Sequence, residues 1–171
     1  ETSSAPLPDK PSIAVLAFEN MSDDIEQEFF SDGITEDIIT ALSRSPWLFI
    51  IARNTTFTYK GQSVDVKQVA HDLGVRYVLE GSVRRAGERI RVTAQLIDGL
   101  TGGHVWSERY DGELADVFDL QDEITRNVVA SIQTSVQLTA STHTQRSSRP
   151  DLTVWELTMR AWQLLYDFDP Q

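Results

Sequence analysis

The sequence contains no cysteine, which excludes disulfide bonds, thiolate nucleophiles and cysteine-based zinc or iron–sulfur sites. Histidine is scarce too: His71, His104 and His143 are far apart and lack H-x-x-x-H spacing, so we expect no metal and no cofactor. With only 6 Pro, 9 Gly and 40% hydrophobic residues, the composition favours a folded core over disorder. No apolar run approaches the ~18 residues of a membrane span, so this chain should not insert into a membrane.

Positive charge is also in short supply. The chain has 15 Lys and Arg against 26 Asp and Glu, and its formal net charge is -11. Such a field repels phosphate backbones and anionic membranes, which argues against nucleic-acid binding. The patterns G-x-S-x-G, G-x-x-x-x-G-K-[ST] and G-x-G-x-x-G are all absent. We therefore expect no catalytic residues in this chain.

The hydrophobic pattern predicts an α/β (α+β) fold in the order β-α-β-α-β-β-β-α, followed by a further C-terminal helix. Two near-continuous apolar runs indicate strands buried on both faces, and three later segments indicate an antiparallel meander. The predicted strands are residues 12–18, 47–52, 75–85, 88–98 and 104–110. We expect one mixed sheet of about five strands with helices packed on it.

Helix signals separate these strands. Asp23 and Glu26 have capping-box spacing, Pro46 should end the first helix, and Gly74 should end a second helix that begins at Val64. A long helix is predicted from about Asp116. Its apolar face repeats every four residues, at Leu120, Ile124, Val128, Ile132 and Val136.

Both ends of the chain predict neighbours. Residues 1–11 have the composition of a linker, 12–138 of a folded domain, 139–151 of a second linker, and 152–171 of the first helix of a repeat. Since Glu1 is not an initiator Met, we expect the chain to be excised from a larger protein. An isolated amphipathic helix cannot cover its own apolar face, so Trp155, Trp162 and Tyr166 are predicted interaction residues.

A candidate ligand site follows the first two predicted strands. The carboxyl ends of neighbouring parallel strands meet at one edge of a sheet, where ligands tend to bind. The predicted ligand-binding residues are Asn20, Ser22, Arg53, Asn54 and Thr55. Arg53 could hold a carboxylate or phosphate with its planar guanidinium. In the alternative interpretation Asn20 and Asn54 cap turns, and Arg53 pairs with Glu19 or Asp32.

Charge is unevenly distributed along the chain. Eight carboxylates lie within residues 19–37 with no Lys or Arg among them, and another acidic set runs from 108 to 123. Arg84, Arg85, Arg89 and Arg91 are close in sequence and indicate either a solvated strand face or a patch that meets an acidic surface. Residues 69–75 imitate the first half of a helix-turn-helix, but the alternating strands that follow leave no recognition helix.

Three phrases resemble a known bacterial family. They are PSIAVLAFENMSDDIEQEFFSDGITEDIITALSR (11–44), FTYKGQSVDVKQVAHDLGVRYVLEGSVRRAGERIRVTAQLIDGLTGGHVWSERYDG (57–112) and DVFDLQDEIT (116–125). Over roughly residues 11–136 the chain is similar to the TolB N-terminal-like and FlgO-like domains, although Ala17 stands where that family often has Pro. The resemblance implies a non-catalytic module between an N-terminal output domain and C-terminal tetratricopeptide repeats. The output domain in such proteins is a class III adenylate or guanylate cyclase, or a winged-helix regulator of the CadC or ToxR type.

The sequence therefore predicts a regulatory, sensor or protein-interaction module of a bacterial signalling protein. The expected partners are the flanking domains and a protein bound through the downstream repeats, and the chain could also form a homodimer. The alternatives are a structural spacer and a small-molecule-binding domain that uses the crevice after the first two strands. We expect a cytoplasmic location, or a periplasmic one if a membrane helix precedes the chain.

Overall fold

The computed structural model describes the backbone of residues 10–147 and the side chains of residues 10–138. The predicted interaction residues Trp155, Trp162 and Tyr166 lie outside the described residues, as do the predicted repeat and most of the N-terminal linker. Those expectations remain predictions.

Six strands form one mixed sheet. They are β1 (Ser12–Val15), β2 (Glu19–Asn20), β3 (Phe49–Ile50), β4 (Tyr77–Ala86), β5 (Arg89–Asp98) and β6 (His104–Glu113). The order is β3-β1-β4-β5-β6, with β2 beside β4. β1 is parallel to β3 and β4, whereas β4, β5 and β6 form an antiparallel meander. The predicted mixed sheet, with its parallel first strands and later meander, is confirmed.

The helices are α1 (Glu26–Ser43), α2 (Arg53–Thr56), α3 (Val66–Leu73) and α4 (Val117–Ser147). Short 3-10 turns at Phe57–Tyr59 and Leu114–Asp116 follow α2 and precede α4. α3 ends as expected at Gly74, which adopts a left-handed φ of 66°, but it begins at Val66 instead of Val64. The Asp65 side chain caps its start by accepting a hydrogen bond from the Lys67 N–H. Among the helices described, none combines the length and hydrophobicity needed to cross a bilayer.

The two faces of the sheet carry different helices. α1 and α4 cover one face, where their apolar side chains share a core with β1, β4 and β5. The predicted face of α4 is confirmed, since residues 120, 124, 128, 132 and 136 are all buried. Side chains alternate in β5 as well, since Ile90, Val92, Ala94 and Leu96 are buried in that core. α3 covers part of the opposite face through a smaller cluster with β1 and the start of β4.

The sequence misplaced the start of α1 and the extent of the second strand. Asp24, rather than Asp23, accepts the hydrogen bond from the Glu26 N–H at the start of α1. The predicted strand 47–52 reduces to Phe49–Ile50, which are half-buried at the edge of the sheet beside β1. A strand at the edge of a sheet has a neighbouring strand on one side only and is less covered than an inner strand. A continuous apolar run therefore did not guarantee burial on both faces.

Two other segments are more helical than predicted. The hydroxyl-rich segment 53–63, to which the sequence pattern assigned neither a helix nor a strand, begins with α2 and a 3-10 turn. Helix α4 continues to Ser147 and so runs into the segment predicted as the second linker. The residues after 138 lack hydrophobic periodicity, but a polar helix can continue from a well-packed one without it.

Candidate functional site

A cleft of about 590 Å³ opens at the carboxyl end of β1. The chain leaves β1 for α1 on one face of the sheet and continues from β3 through α2 to α3 on the other, so a crevice between the two connections is expected there. One wall is the loop after β1, the other is the loop before α3, and β4 supplies the back. The lining residues are Leu16, Ala17, Phe18, Glu19, Asn20, Glu28, Tyr59, Lys60, Gly61, Gln62, Ser63, Val64, Glu80 and Gly81.

The loop after β1 is held in place from beneath. The Phe18 N–H donates a buried hydrogen bond of 3.0 Å to Thr35 Oγ1 on α1, and the Thr35 hydroxyl donates to the Ser31 carbonyl at 2.8 Å. The Phe18 ring is buried against β4, where a Cβ atom on Gly81 would lie 2.5 Å from Phe18 Cε2. The cleft wall therefore has a fixed position rather than that of a free loop.

Lys60 is the one cation among the described residues that line the cleft, and two carboxylates already neutralise it. Its Nζ donates to Glu28 Oε1 and to both oxygens of Asp32, with each N–O distance 2.7 Å. The hydrogen bond from Lys60 lowers the pKa of Glu28, against the opposing effect of desolvation. Lys60 thus joins the loop before α3 to α1 and leaves little positive potential for a ligand.

Glu19 and Glu80 give the cleft a net negative charge. Neither forms an ion pair with any residue in the described part of the chain. Desolvation raises the pKa of Glu80, the charge of Glu19 raises it further, and His104 has an opposing effect. A site of this charge suits a cation, whereas the predicted site built around Arg53 would have favoured an anion.

We expect Glu80→Gln to raise the melting temperature of the domain at neutral pH. The folded-state pKa of Glu80 is raised above its unfolded value, so its ionised form is disfavoured by folding. Wild-type stability should rise as the pH falls through that folded pKa, because Glu80 then becomes protonated. The gain from Glu80→Gln should therefore shrink in acid, as measured by thermal melts over a pH series. An equal gain at every pH would contradict this assignment.

Of the predicted ligand-binding residues, Asn20 lines the cleft. Its amide donates to the Asp24 carbonyl at 3.0 Å and its Oδ1 accepts from the Ser22 N–H at 3.0 Å, which confirms that it caps a turn. The Ser22 hydroxyl accepts from the Arg85 N–H at 2.7 Å and lines a separate, shallower depression. Both side chains thus organise the loop before α1.

Arg53, Asn54 and Thr55 form the first turn of α2 and are not among the residues that line the cleft. The guanidinium of Arg53 lies 4.0 Å above the Phe57 ring, and its Nε is 3.6 Å from Glu36 Oε2. The expected pairing of Arg53 with Glu19 or Asp32 is therefore wrong, because α2 turns this side chain towards α1. Ligand binding by these residues stays a prediction.

Sequence reasoning missed Lys60 and Glu80. Glu80 had a detectable signal, since it is a lone carboxylate within the apolar strand segment YVLEGSV. Lys60 had none, because its partners Glu28 and Asp32 lie on α1 and meet it only in the folded chain. Among the described residues, no group of three or more His, Cys, Asp or Glu could hold a metal ion.

A second feature lies on the outside of α1 and α4. Gln121 bonds Asp37, and Gln133 bonds Ser45 at 2.7 Å, so the two helices run parallel. Ile25, Phe29 and Phe118 lie towards the amino ends of this pair and are 74%, 75% and 79% exposed. Exposed carboxylates accompany them at Glu26, Asp119, Asp122 and Glu123. We call these seven residues the helix-layer surface.

The aromatic residues of the helix-layer surface belong to neighbouring turns. Gln121 Nε2 would lie 3.6 Å from a Cβ atom on Gly33, so these two positions are side by side. Phe29 is one turn before Gly33, and Phe118 is about one turn before Gln121. Large exposed apolar side chains grouped in this way commonly mark an interaction site.

Comparisons with known proteins agree with this architecture. The sequence profile of the family described as "HilA/YgeH-like transcriptional regulator, second domain" matches residues 9–127. A protein of Rhizobium meliloti (strain 1021) named "Putative adenylate cyclase 3" is 56% identical over 165 residues, which are 95% of this chain and 28% of that protein. The chain thus spans less than a third of this relative's length.

Solved structures show the same fold at low sequence identity. TolB from Acinetobacter baumannii matches with a TM-score of 0.52 and 16% identity over 74% of this chain and 28% of that one. The hypothetical protein CT253 from Chlamydia trachomatis matches with a TM-score of 0.51 and 12% identity over 75% of this chain and 99% of that one. The TolB-like fold expected from the sequence is therefore confirmed.

Proposed function

The chain belongs to the family of HilA/YgeH-like regulator second domains, and on that premise we propose that it is a non-catalytic interaction module of a bacterial signalling protein. It docks on a neighbouring domain and so links the state of that domain to an output. The observation that carries this proposal is the helix-layer surface, whose three apolar side chains are about three-quarters exposed. Covering a side chain of that size contributes roughly 1.5–3 kcal/mol, which favours an interface there.

The output domain we propose is an N-terminal class III nucleotide cyclase, with tetratricopeptide repeats following the module. The name of the Rhizobium meliloti relative, 56% identical over this region, supports the cyclase. A winged-helix transcription regulator is the alternative output, which the family description supports. In either arrangement the module supplies contacts, and the reaction or DNA binding belongs to another domain.

The experiment is a double substitution, Phe29→Ser with Phe118→Ser, in the full-length protein. We expect a several-fold change in cyclic nucleotide formation from ATP or GTP, because the module can no longer dock, and an unchanged melting temperature for the module. Leu100→Ser is the matched control, since Leu100 is 67% exposed but lies in the β5–β6 turn. Output that is identical in wild type, double variant and control would reject the docking role.

The 171-residue chain alone should form no cyclic nucleotide from ATP or GTP. Turnover by this chain, abolished by a substitution within it, would overturn the assignment of the reaction to another domain. The assay uses the purified chain with ATP or GTP in the presence of Mg²⁺ or Mn²⁺.

A second candidate function is the binding of a small organic cation in the cleft. The observation that favours it is the pair of unneutralised carboxylates Glu19 and Glu80 in a cleft that the aromatic residue Tyr59 also lines. We expect spermidine to raise the melting temperature of the wild-type chain and to have a smaller effect on Glu80→Gln. The control is Glu88→Gln, an exposed position in the β4–β5 turn. An equal shift in all three proteins would indicate non-specific charge screening.

A further inference from the structure

The sheet has an open face that bears arginines. α3 covers only the part of this face formed by β1 and the start of β4, so within the described residues the meander beyond it lacks a helix. In β5, Ile90 and Val92 point into the core under α4, and the alternating residues Arg89 and Arg91 therefore project from the open face. Arg84 on β4 is directly opposite Arg91, and Arg109 on β6 is directly opposite Thr93. We call Arg84, Arg89, Arg91 and Arg109 the arginine face.

The arginine face has four guanidinium groups and two carboxylates that face them, Asp111 and Glu113. Arg91 Nε is 2.7 Å and Arg109 Nε 3.7 Å from the same side chain, Asp111. The hydrogen bond from Arg91 lowers the pKa of Asp111, and the charges of Arg109 and Arg89 lower it further. Glu113 is directly opposite Arg89, whereas Arg84 and Arg91 oppose each other directly. Like charges in that relation destabilise a sheet, so carboxylates supplied by a partner would stabilise this face.

The helix-layer surface has the complementary chemistry. Its carboxylates Glu26, Asp119, Asp122 and Glu123 are exposed on the same two helices as the exposed rings of Phe29 and Phe118. A guanidinium group pairs with carboxylates and also stacks on aromatic rings. This chain already makes such a stack within itself, where Arg53 lies 4.0 Å above Phe57.

We propose that the arginine face of one copy docks on the helix-layer surface of a second copy. The inference rests on the proposed function, because it names a partner for the surface that carries it. The two surfaces are on opposite faces of the same sheet, so one copy cannot bring its own two surfaces together. The contact is therefore head-to-tail, and repeating it forms a chain or a closed ring.

Charge favours a second copy over a nucleic acid as the occupant. The net charge of -11 repels a phosphate backbone as a whole, whereas the two surfaces of this chain attract each other locally. Opposite patches also steer association, so the contact should weaken as salt is added beyond about 0.1 M, where the Debye length is about 10 Å.

The test uses two charge-reversed forms of the 171-residue chain. One carries Arg84→Glu with Arg91→Glu, and the other carries Asp119→Lys with Asp122→Lys. In sedimentation velocity at low salt the wild type should form species larger than a dimer, in proportions that depend on concentration. Each reversed form alone should be monomeric. Their mixture should associate again, because the intact helix-layer surface of one form can bind the intact arginine face of the other, and the two reversed surfaces are also opposite in charge.

A matched double reversal, Arg44→Glu with Lys67→Glu, changes exposed charges outside both surfaces and should leave self-association intact. Circular dichroism melts verify that every variant is folded. Any of three results would overturn the proposal. The wild type could stay monomeric at low salt, or the mixture could fail to associate. A duplex DNA could also bind the wild type and not the Arg84/Arg91 variant. If self-association fails while the Phe29/Phe118 variant still changes cyclase output, the proposed function stands and only the second copy is wrong.

Discussion

Gly81→Ala is expected to lower the free energy of unfolding by about 3 kcal/mol and the melting temperature by roughly 10 °C. A Cβ atom at this position would lie 2.5 Å from Phe18 Cε2 and 2.6 Å from the backbone oxygen of Thr93. The Phe18 ring could yield only by leaving a buried site, and the oxygen belongs to the paired strand β5. Because Gly81 and Phe18 both line the cleft, the same substitution should disturb the cleft wall.

Gly33→Ala is the matched control for Gly81→Ala. Gly33 lies within α1, and a Cβ atom there would have only an ordinary contact of 3.6 Å with the Gln121 side chain. Alanine is the better helix former, so this change should be neutral or stabilise the domain by up to about 1 kcal/mol. Chemical denaturation of both variants supplies the measurement. A similar loss of stability in both variants would show that the steric clash at Gly81 does not cause the loss in Gly81→Ala.

Ile124→Ala is the second large effect, with an expected loss of about 3 kcal/mol. Ile124 is 1% exposed and joins α4 to the sheet in the larger core. The substitution removes buried methyl groups and leaves a cavity that the parallel helix α1 and the sheet can only partly fill. Denaturant midpoints at unchanged m-value would report this loss.

Ile25→Ala makes the same chemical change at an exposed position. Ile25 is 74% exposed, so its substitution should alter stability by less than about 0.5 kcal/mol. It belongs to the helix-layer surface and should instead weaken docking. A variant that lost stability as Ile124→Ala does would show that Ile25 is buried in the folded chain.

Patterns that depend on one element were predictable from the sequence. The alternation of Ile90, Val92 and Ala94 located β5 and its buried face, because strand side chains alternate whatever lies beside them. The four-residue repeat from Leu120 did the same for α4, and Gly74 marked the end of α3. The reversal of direction at Ala86 and Gly87 was equally local.

Features that depend on which elements become neighbours were not predictable. Arg53 and Glu19 follow neighbouring strands, as expected, but α2 turns Arg53 towards Glu36 instead of into the cleft. The charge of the cleft depends on Lys60, whose ammonium is neutralised by residues about 30 positions earlier in the sequence. Of the four arginines predicted as a group, Arg84, Arg89 and Arg91 share the open face, whereas Arg85 is on the other face of the sheet and pairs with Asp24. Arg109 joins the open face only through the register of β6.

Strand β1 is short and lies between β3 and β4, which has a consequence for the order of folding. β1 has four residues, yet Ile13 pairs both with Ile50 and with Tyr77, which are distant in sequence. The meander of β4, β5 and β6 pairs only sequence neighbours, so its loop-closure entropy is small and it can form early. Insertion of β1 between β3 and β4 should therefore be a late step. Truncating Ile13 should accelerate unfolding and leave the refolding rate nearly unchanged, whereas truncating Val92 should slow refolding.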